Sequence, residues 1–340
     1  MNRDVVLQRP ADAVLPALGV MAPALLETPV PDEVGERGTQ LLRELGADTH
    51  LGGSAFNVAR VVALLNADAA HDLAFFGVAG RVDGRYPHRE ALAEWSVSSD
   101  LVQCSDAPPA TCLALVEPLG RTLLTALGAN AGIAAWLEAN HLALASAIAQ
   151  RDIIHVTSFL DPAAPLLIAR ILQSARDLNP DIAVSLDPGM GWIAPGGEAL
   201  EALFAQADIL HLNAEELDCL GGRGNVSTIG AQLRPGWLIV TRTHLAATVH
   251  RETAAGFQST ALPEASPLPT ASVVDATGAG DTFCGGFLSL YEADPAQAPA
   301  AAELGFSLAR HKVTVSGPLS EGTLAGWVRP DIGSRQAATN

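Results

Sequence analysis

The chain has 340 residues, 49% of them apolar, and a formal net charge of −17. That is enough for one large α/β domain with an excursion, or for two ordinary domains, and it argues against global disorder. So acidic a surface repels nucleic acid and anionic membranes, which removes a phosphate-backbone partner from consideration.

The apolar run 14–26 follows Arg3 and Arg9, but Asp4 and Asp12 spoil a basic leader and Gly19 interrupts the run. A first buried strand is expected there rather than a signal peptide. Segments 20–50 and 103–127 are richer in Pro, Thr and charge, with some period-two character. They are expected to pair as a small β-sheet lid inserted in the main domain. From residue 54 onward short apolar runs at 73–78, 153–157, 182–186, 209–212 and 238–241 alternate with helical patterns at 56–65, 132–149, 164–178, 198–206 and 215–220. Nearly all-apolar strands alternating with helices imply a parallel sheet covered on both faces, with ligands at the carboxyl ends of the strands. The longest uncharged stretch, 122–137, holds Thr, Asn and two Gly and is too short to span a membrane. Residues 1–330 are read as one α/β domain with its lid segments, and 331–340 as a frayed tail.

The four cysteines form no C-x-x-C pair and the histidines no H-E-x-x-H pattern. Free thiols in a reducing, cytoplasmic setting are expected, without a structural metal. Lys312 is the only lysine among the 20 basic residues, and no glycine-rich loop precedes it.

The sharpest motif runs from Val273 to Phe283 and contains Asp275, Thr277, Gly278, Ala279, Gly280 and Asp281. An apolar pair enters a glycine-spaced turn, and the apolar spacing of Phe283, Phe287 and Leu290 begins a helix. Backbone N–H groups of such a turn converge at a helix N-terminus and favour an anion. Asp281 adds a carboxylate at the same mouth. Phosphoryl transfer needs both an anion hole and a group to take the hydroxyl proton. The plainer reading is a tight turn with an N-capping Asp. The spacing matches neither a dinucleotide fingerprint nor a Walker loop.

A second motif, Gly52-Gly53-Ser54-Ala55-Phe56-Asn57, opens a helix with a Gly pair that allows close ligand approach; Asn57 offers donor and acceptor to hydroxyls, or the motif is simply a helix cap. A third, Asn213-Ala214-Glu215-Glu216, places Asn213 and Glu216 at a strand's carboxyl end. Glu216 would hold Mg²⁺ through water, or else complete a capping box with Asn213.

These three motifs, in this order, resemble the ribokinase/PfkB carbohydrate kinase family over roughly residues 14–318. Segments 77–84 (GVAGRVDG) and 128–130 also sit where that family has similar sequence. The resemblance implies a three-layer α/β/α ribokinase-like domain with a mainly parallel sheet and a small β-sheet lid, often the contact of a homodimer. It implies an ATP-dependent kinase moving the γ-phosphate to a hydroxyl, typically a hydroxymethyl, of a sugar, nucleoside or related polyol. Asp281 takes the role of base and Gly278, Ala279 and Gly280 that of the anion hole. Gly52, Gly53 and Asn57 fall at substrate contacts, and Asn213 and Glu216 at the Mg–phosphate shell. Asp275 and Thr277 fall where many members hold a monovalent cation such as K⁺.

Two departures stand out. Counted from Gly19, Ala24 replaces the Asp that grips substrate hydroxyls in many members. The strand 238–241 leads into Thr241-Arg242-Thr243-His244-Leu245-Ala246, without the two glycines that usually pass the nucleotide. Arg242 is expected to compensate as a phosphate contact, with Thr241 and Thr243 beside it at the nucleotide. The alternatives are a non-catalytic ligand-binding or regulatory protein on a kinase scaffold, and a kinase for a non-sugar alcohol.

Overall fold

A computed structural model describes residues 1–23, 27–66, 70–117, 120–254 and 256–331. The chain divides into two compact units, one comprising residues 1–56 and 72–133, the other 57–71 and 134–340.

The first unit is built on a five-stranded mixed sheet. Its strands are β1 (Asn2–Leu7), β2 (Glu27–Val30), β3 (Asp48–Gly52), β6 (Ala110–Glu117) and β7 (Gly120–Ala126), in the order β2-β7-β6-β1-β3. The short strands β4 (Gly77–Ala79) and β5 (Val102–Cys104) form a parallel pair. Segments 20–50 and 103–127 thus supply four of the five strands, and β1 the fifth. Helices α1 (Leu15–Leu18) and α2 (Asp32–Glu44) belong here. One face of the sheet buries Val5, Leu7, Leu113, Leu115 and Leu124 against Val14, Leu15, Leu18 and Leu42. A third helix, α3 (Ser54–Leu65), continues into the second unit, and α4 (Pro87–Glu94) closes the first.

Two expectations fail in this unit. The described part of the apolar run, residues 14–23, is not a strand: a 3₁₀ turn (Ala11–Ala13) leads into α1, which ends at Gly19 with φ +66°. Pro16 in the first turn suits a helix start, and Val14, Leu15 and Leu18 bury at helical spacing rather than at period two. Ala24 lies outside the described residues, as does most of the polar tail. In segment 73–78 only the end becomes strand, since β4 begins at Gly77 and an isolated bridge joins Ala74 to Ser98.

The second unit carries a six-stranded sheet in the order β13-β12-β11-β10-β9-β8. Strands β8 (Ile153–Thr157), β9 (Ala183–Asp187), β10 (Ile209–Asn213) and β11 (Leu238–Arg242) run parallel. The hairpin β12 (Ala247–Thr253) and β13 (Gly256–Ala261) adds antiparallel to β11. Fully buried Val184, Leu186, Leu210, Leu212, Ile239 and Val240 account for the continuous apolar runs seen in the sequence. The connecting helices are α5 (Ile133–Ala139), α6 (His141–Ile148), α7 (Ala164–Leu178), α8 (Gly189–Ile193), α9 (Glu198–Phe204), α10 (Ala214–Cys219) and α11 (Val226–Gly230). The helix expected over 132–149 is divided at Asn140, whose side-chain amide donates to the Trp136 carbonyl. The unit closes with α12 (Ala279–Leu288), α13 (Ala298–Lys312) and a short α14 (Glu321–Leu324). Gly286 and Gly305 meet face to face, which lets α12 and α13 cross closely. No helix among the described residues is long and apolar enough to cross a membrane.

Candidate active site

Asp187, Asn213 and Arg242 are the last residues of β9, β10 and β11. Polar residues ending apolar parallel strands mark the usual ligand edge of an α/β sheet. Helix α12 begins at the same polar cluster. Its N-cap Gly278 has φ +75°, a conformation that costs a residue with Cβ. The first N–H groups of the helix, Gly280's among them, have no intrahelical acceptor and form the positive end of its dipole. Ala279 differs from the other two turn residues, because its N–H donates to Ala276 O at 3.3 Å.

Asp281 lies in the first turn of α12, where its Oδ2 accepts from Asn57 Nδ2 at 2.9 Å. Arg60 Nη1 donates to Asn57 Oδ1 at 3.1 Å, which fixes the orientation of the Asn57 amide. Asn57 and Arg60 are one helical turn apart on α3. Sequence reasoning placed Asn57 on the substrate; the structure places its amide nitrogen on Asp281.

Arg242 is largely buried, and its Nη2 donates to Asp187 Oδ2 at 3.1 Å. The Cys284 thiol donates to the same oxygen at 3.2 Å. The guanidinium carbon lies 5.5 Å from the centroid of the Phe283 ring. A Cβ built on Gly280 would stand 3.1 Å from Arg242 Nη2, so the guanidinium packs against the glycine turn. Its Nη1 is buried and has no hydrogen-bond partner among the described residues. A buried guanidinium with a spare donor at a helix N-terminus is suited to an anion. Burial raises the Asp187 carboxyl, but the Arg242 charge, helped by the Cys284 hydrogen bond, holds the group below its ordinary pKa. No sequence motif singled out Asp187. Its signal was positional, an acid directly after the apolar strand 182–186.

Behind this edge lie two buried histidines. Ser185 Oγ is 2.9 Å from His155 Nδ1 and 3.1 Å from His211 Nε2. Burial lowers His155 to about 4 and His211 well below its usual value, so both rings are neutral at pH 7.

Asn213 and Glu216 form a reciprocal capping box at α10: Asn213 Oδ1 accepts from Glu216 N at 2.9 Å and Glu216 Oε2 from Asn213 N at 2.8 Å. Glu216 is 4% exposed, and burial, with Asp187 adding to it, pushes its carboxyl up to about 7. A carboxylate so short of compensating charge is one that a divalent cation would relieve, so the residue fits Mg²⁺ through water. Among the described residues no group of three or more His, Cys, Asp or Glu is arranged to hold a metal on its own. An Mg²⁺ here therefore needs ligands from water or phosphate.

The hairpin after β11 departs from expectation. Thr241 Oγ1 lies 3.1 Å from His250 Nε2, and successive strand residues point to opposite faces, so Thr241 turns away from Arg242. Thr243 Oγ1 accepts from the N–H groups of Leu245 and Ala246, both at 3.1 Å, while Thr243 N donates to Ala246 O at 2.8 Å. Its hydroxyl closes the turn locally, which is how the chain forms it without the two glycines. Neither threonine side chain is recorded in contact with Asp187, Asn213 or Arg242.

Asp275 and Thr277 sit at the start of the glycine turn. Asp275 Oδ1 accepts from Thr277 N at 2.8 Å, and Oδ2 from Gly317 N and Lys312 Nζ, both at 3.2 Å.

Gly52 and Gly53 belong to the first unit. A Cβ on Gly52 would run into Asp4 Oδ2, and Gly53 has φ +106°. The carboxylate beside the glycine pair is thus Asp4 on β1, paired in register with His50. Counting from Gly19 missed it, because Gly19 ends a helix rather than a first strand. Phe56, in the same motif, is 1% exposed and packs with Phe75, His88 and Trp95.

A profile of the pfkB family carbohydrate kinases matches residues 31–321. The chain belongs to this family. As a pfkB kinase it is a phosphotransferase with an alcohol group as acceptor. The fold is ribokinase-like. Adenosine kinase from Sinorhizobium meliloti superposes with a TM-score of 0.74 at 20% identity, covering 98% of this chain and 96% of the other. Adenosine kinase from Schistosoma mansoni in complex with 2-fluoroadenosine gives 0.74 at 11% identity, covering 95% and 96%. Ribokinase from Giardia lamblia gives 0.68 at 17% identity, covering 96% and 94%. At these identities the likeness concerns the fold alone. No curated protein matches the chain.

Proposed function

We propose that this pfkB kinase transfers the γ-phosphate of ATP to a hydroxymethyl group of a sugar or nucleoside, with Asp281 as general base. The observation that carries the reading is the carboxylate of Asp281 held at the mouth of the Gly278–Gly280 turn by the Arg60–Asn57 relay. A base must meet the proton in a fixed orientation, and two successive hydrogen bonds supply it. The N–H groups of the turn and the spare donor of Arg242 stabilise charge on the moving phosphoryl group. Glu216 and Asn213 would hold Mg²⁺ through its water shell, and the ion would neutralise phosphate charge. Within the first unit, Asp4, Gly52 and Gly53 are the groups suited to hydroxyls, with Asp4 supplying the carboxylate that Ala24 lacks. The 2-fluoroadenosine bound by the Schistosoma mansoni adenosine kinase favours a nucleoside among the acceptors. Free thiols at Cys104, Cys112, Cys219 and Cys284 support a reducing, cytoplasmic setting. A homodimer through the first unit's sheet rests on the family resemblance alone.

The test is ADP release from Mg-ATP against a panel of sugars, nucleosides and small alcohols. Acceptor-dependent turnover that Asp281→Asn lowers by about 10²–10⁴-fold, with ligand binding kept, is expected. Near-wild-type turnover in that variant removes Asp281 from the role. Ligand binding without turnover for any acceptor would instead favour the non-catalytic binding protein.

A further inference from the structure

The chain's only lysine is buried at the foot of the phosphate-binding turn. Lys312 ends α13, and its ammonium donates to the backbone carbonyl of Asp275 at 2.8 Å and to Asp275 Oδ2 at 3.2 Å. The side chains of the pair are 2% and 5% exposed. A carbonyl and a carboxylate oxygen converging on one point are the hard oxygen donors that a monovalent cation takes. An ammonium group is close to K⁺ in size and charge, and two like charges cannot share the same two oxygens in a dry pocket. The Asp275 and Thr277 positions, where the family resemblance suggested K⁺, therefore do not fit it in this chain.

We infer that Lys312 is the built-in cation of this turn, a positioning residue that fixes Asp275 and so makes K⁺ unnecessary. Asp275 passes the constraint on, because its other oxygen accepts from Thr277 N at 2.8 Å, one residue before the left-handed Gly278. Gly317 N adds a third anchor to the same carboxylate at 3.2 Å. The ammonium also neutralises an acid that would otherwise oppose an anion in the turn. The catalytic half of this inference rests on the kinase reading above; the cation half does not.

The experiment compares wild type with Lys312→Ala and Lys312→Met in tetramethylammonium chloride and in KCl at equal ionic strength. It records turnover, thermal midpoint and ²⁰⁵Tl NMR for a bound monovalent ion. Wild-type turnover should change less than about twofold, with no K⁺-specific shift in midpoint and no bound thallium. Lys312→Ala, which leaves room for an ion, should lose at least about tenfold in kcat and regain it with K⁺, Rb⁺ or NH₄⁺ but not with Li⁺. Lys312→Met fills the space without charge and should stay impaired in every salt. A lysine with a folding role only would give variants that no cation rescues by size, and that result overturns the inference. So does a wild type that K⁺ activates about tenfold or that binds thallium. If neither variant folds, the wild-type response decides. If wild type phosphorylates no acceptor, the kinase reading fails, while thallium binding and the K⁺ response of the midpoint still decide whether Lys312 takes the cation's place.

Discussion

Two buried cation–carboxylate pairs flank the start of α12, and they differ in what they leave over. In the Lys312–Asp275 pair the ammonium is spent on the carbonyl and carboxylate of one residue, and the carboxylate is further bound by Thr277 and Gly317. In the Arg242–Asp187 pair the guanidinium keeps a buried nitrogen without a partner among the described residues. The first pair is complete and shapes the backbone; the second is short of one acceptor beside a helix N-terminus. Completeness separates a buried charge that holds the fold from one that awaits an anion, since an unmet buried donor carries a desolvation cost that a ligand relieves.

The largest expected effect tests the first pair. Lys312→Met strands the Asp275 carboxylate in a dry site and should cost about 3–5 kcal/mol of unfolding free energy by denaturant titration. A loss under about 1 kcal/mol would mean that Asp275 finds water or another donor. For the second pair, Arg242→Gln should raise the KM for ATP by roughly one to two orders of magnitude, because a charge-assisted contact to phosphate is lost. Pyrophosphate should raise the thermal midpoint of wild type but not of this variant. An unchanged KM would class Arg242 with Lys312 as a structural cation.

Glu216 sharpens the comparison through pH, as a buried carboxylate with no ion pair recorded among the described residues. Its folded pKa, about 7, is raised above the ordinary value of 4.5. Its contribution is therefore fully present below about pH 4.5 and is lost as pH rises through about 7, by roughly 3 kcal/mol. His155 has the opposite sign, since a lowered histidine favours folding above pH 6.5 and loses that contribution as pH falls through about 4. The informative quantity is thus the difference between wild type and Glu216→Gln, which should change between pH 5 and 8 and shrink in Mg²⁺. A difference that is flat with pH would place the group in contact with solvent. The smallest effect concerns the hairpin: Thr243→Val should cost about 1 kcal/mol, because one hydroxyl serves two turn N–H groups.

Much of the fold was legible in the chain. The parallel strands of the second unit follow from short apolar runs between amphipathic helices, and the helix Ala164–Leu178 was bounded to the residue. The glycine turn with Asp281 was legible for a related reason, that local backbone needs and local chemistry coincide there. Reading failed where one pattern serves two structures. The run 14–26 is apolar enough for a strand, yet Pro16 and the spacing of Val14, Leu15 and Leu18 turn its start into the short helix Leu15–Leu18. That slip hid Asp4, because the count began from the wrong glycine.

The sequence by itself determined the layer architecture, the turn at Gly278–Gly280 and the acid within it, because periodicity and glycine act over a few residues. Tertiary structure decided every pairing across the chain. Asn57 meets Asp281 across 224 residues, Arg242 meets Asp187 across 55, and Lys312 meets Asp275 across 37. No local propensity encodes such partners. They are selected when burial withdraws water and each charge or amide must find its complement among whatever groups the sheet and helices bring beside it.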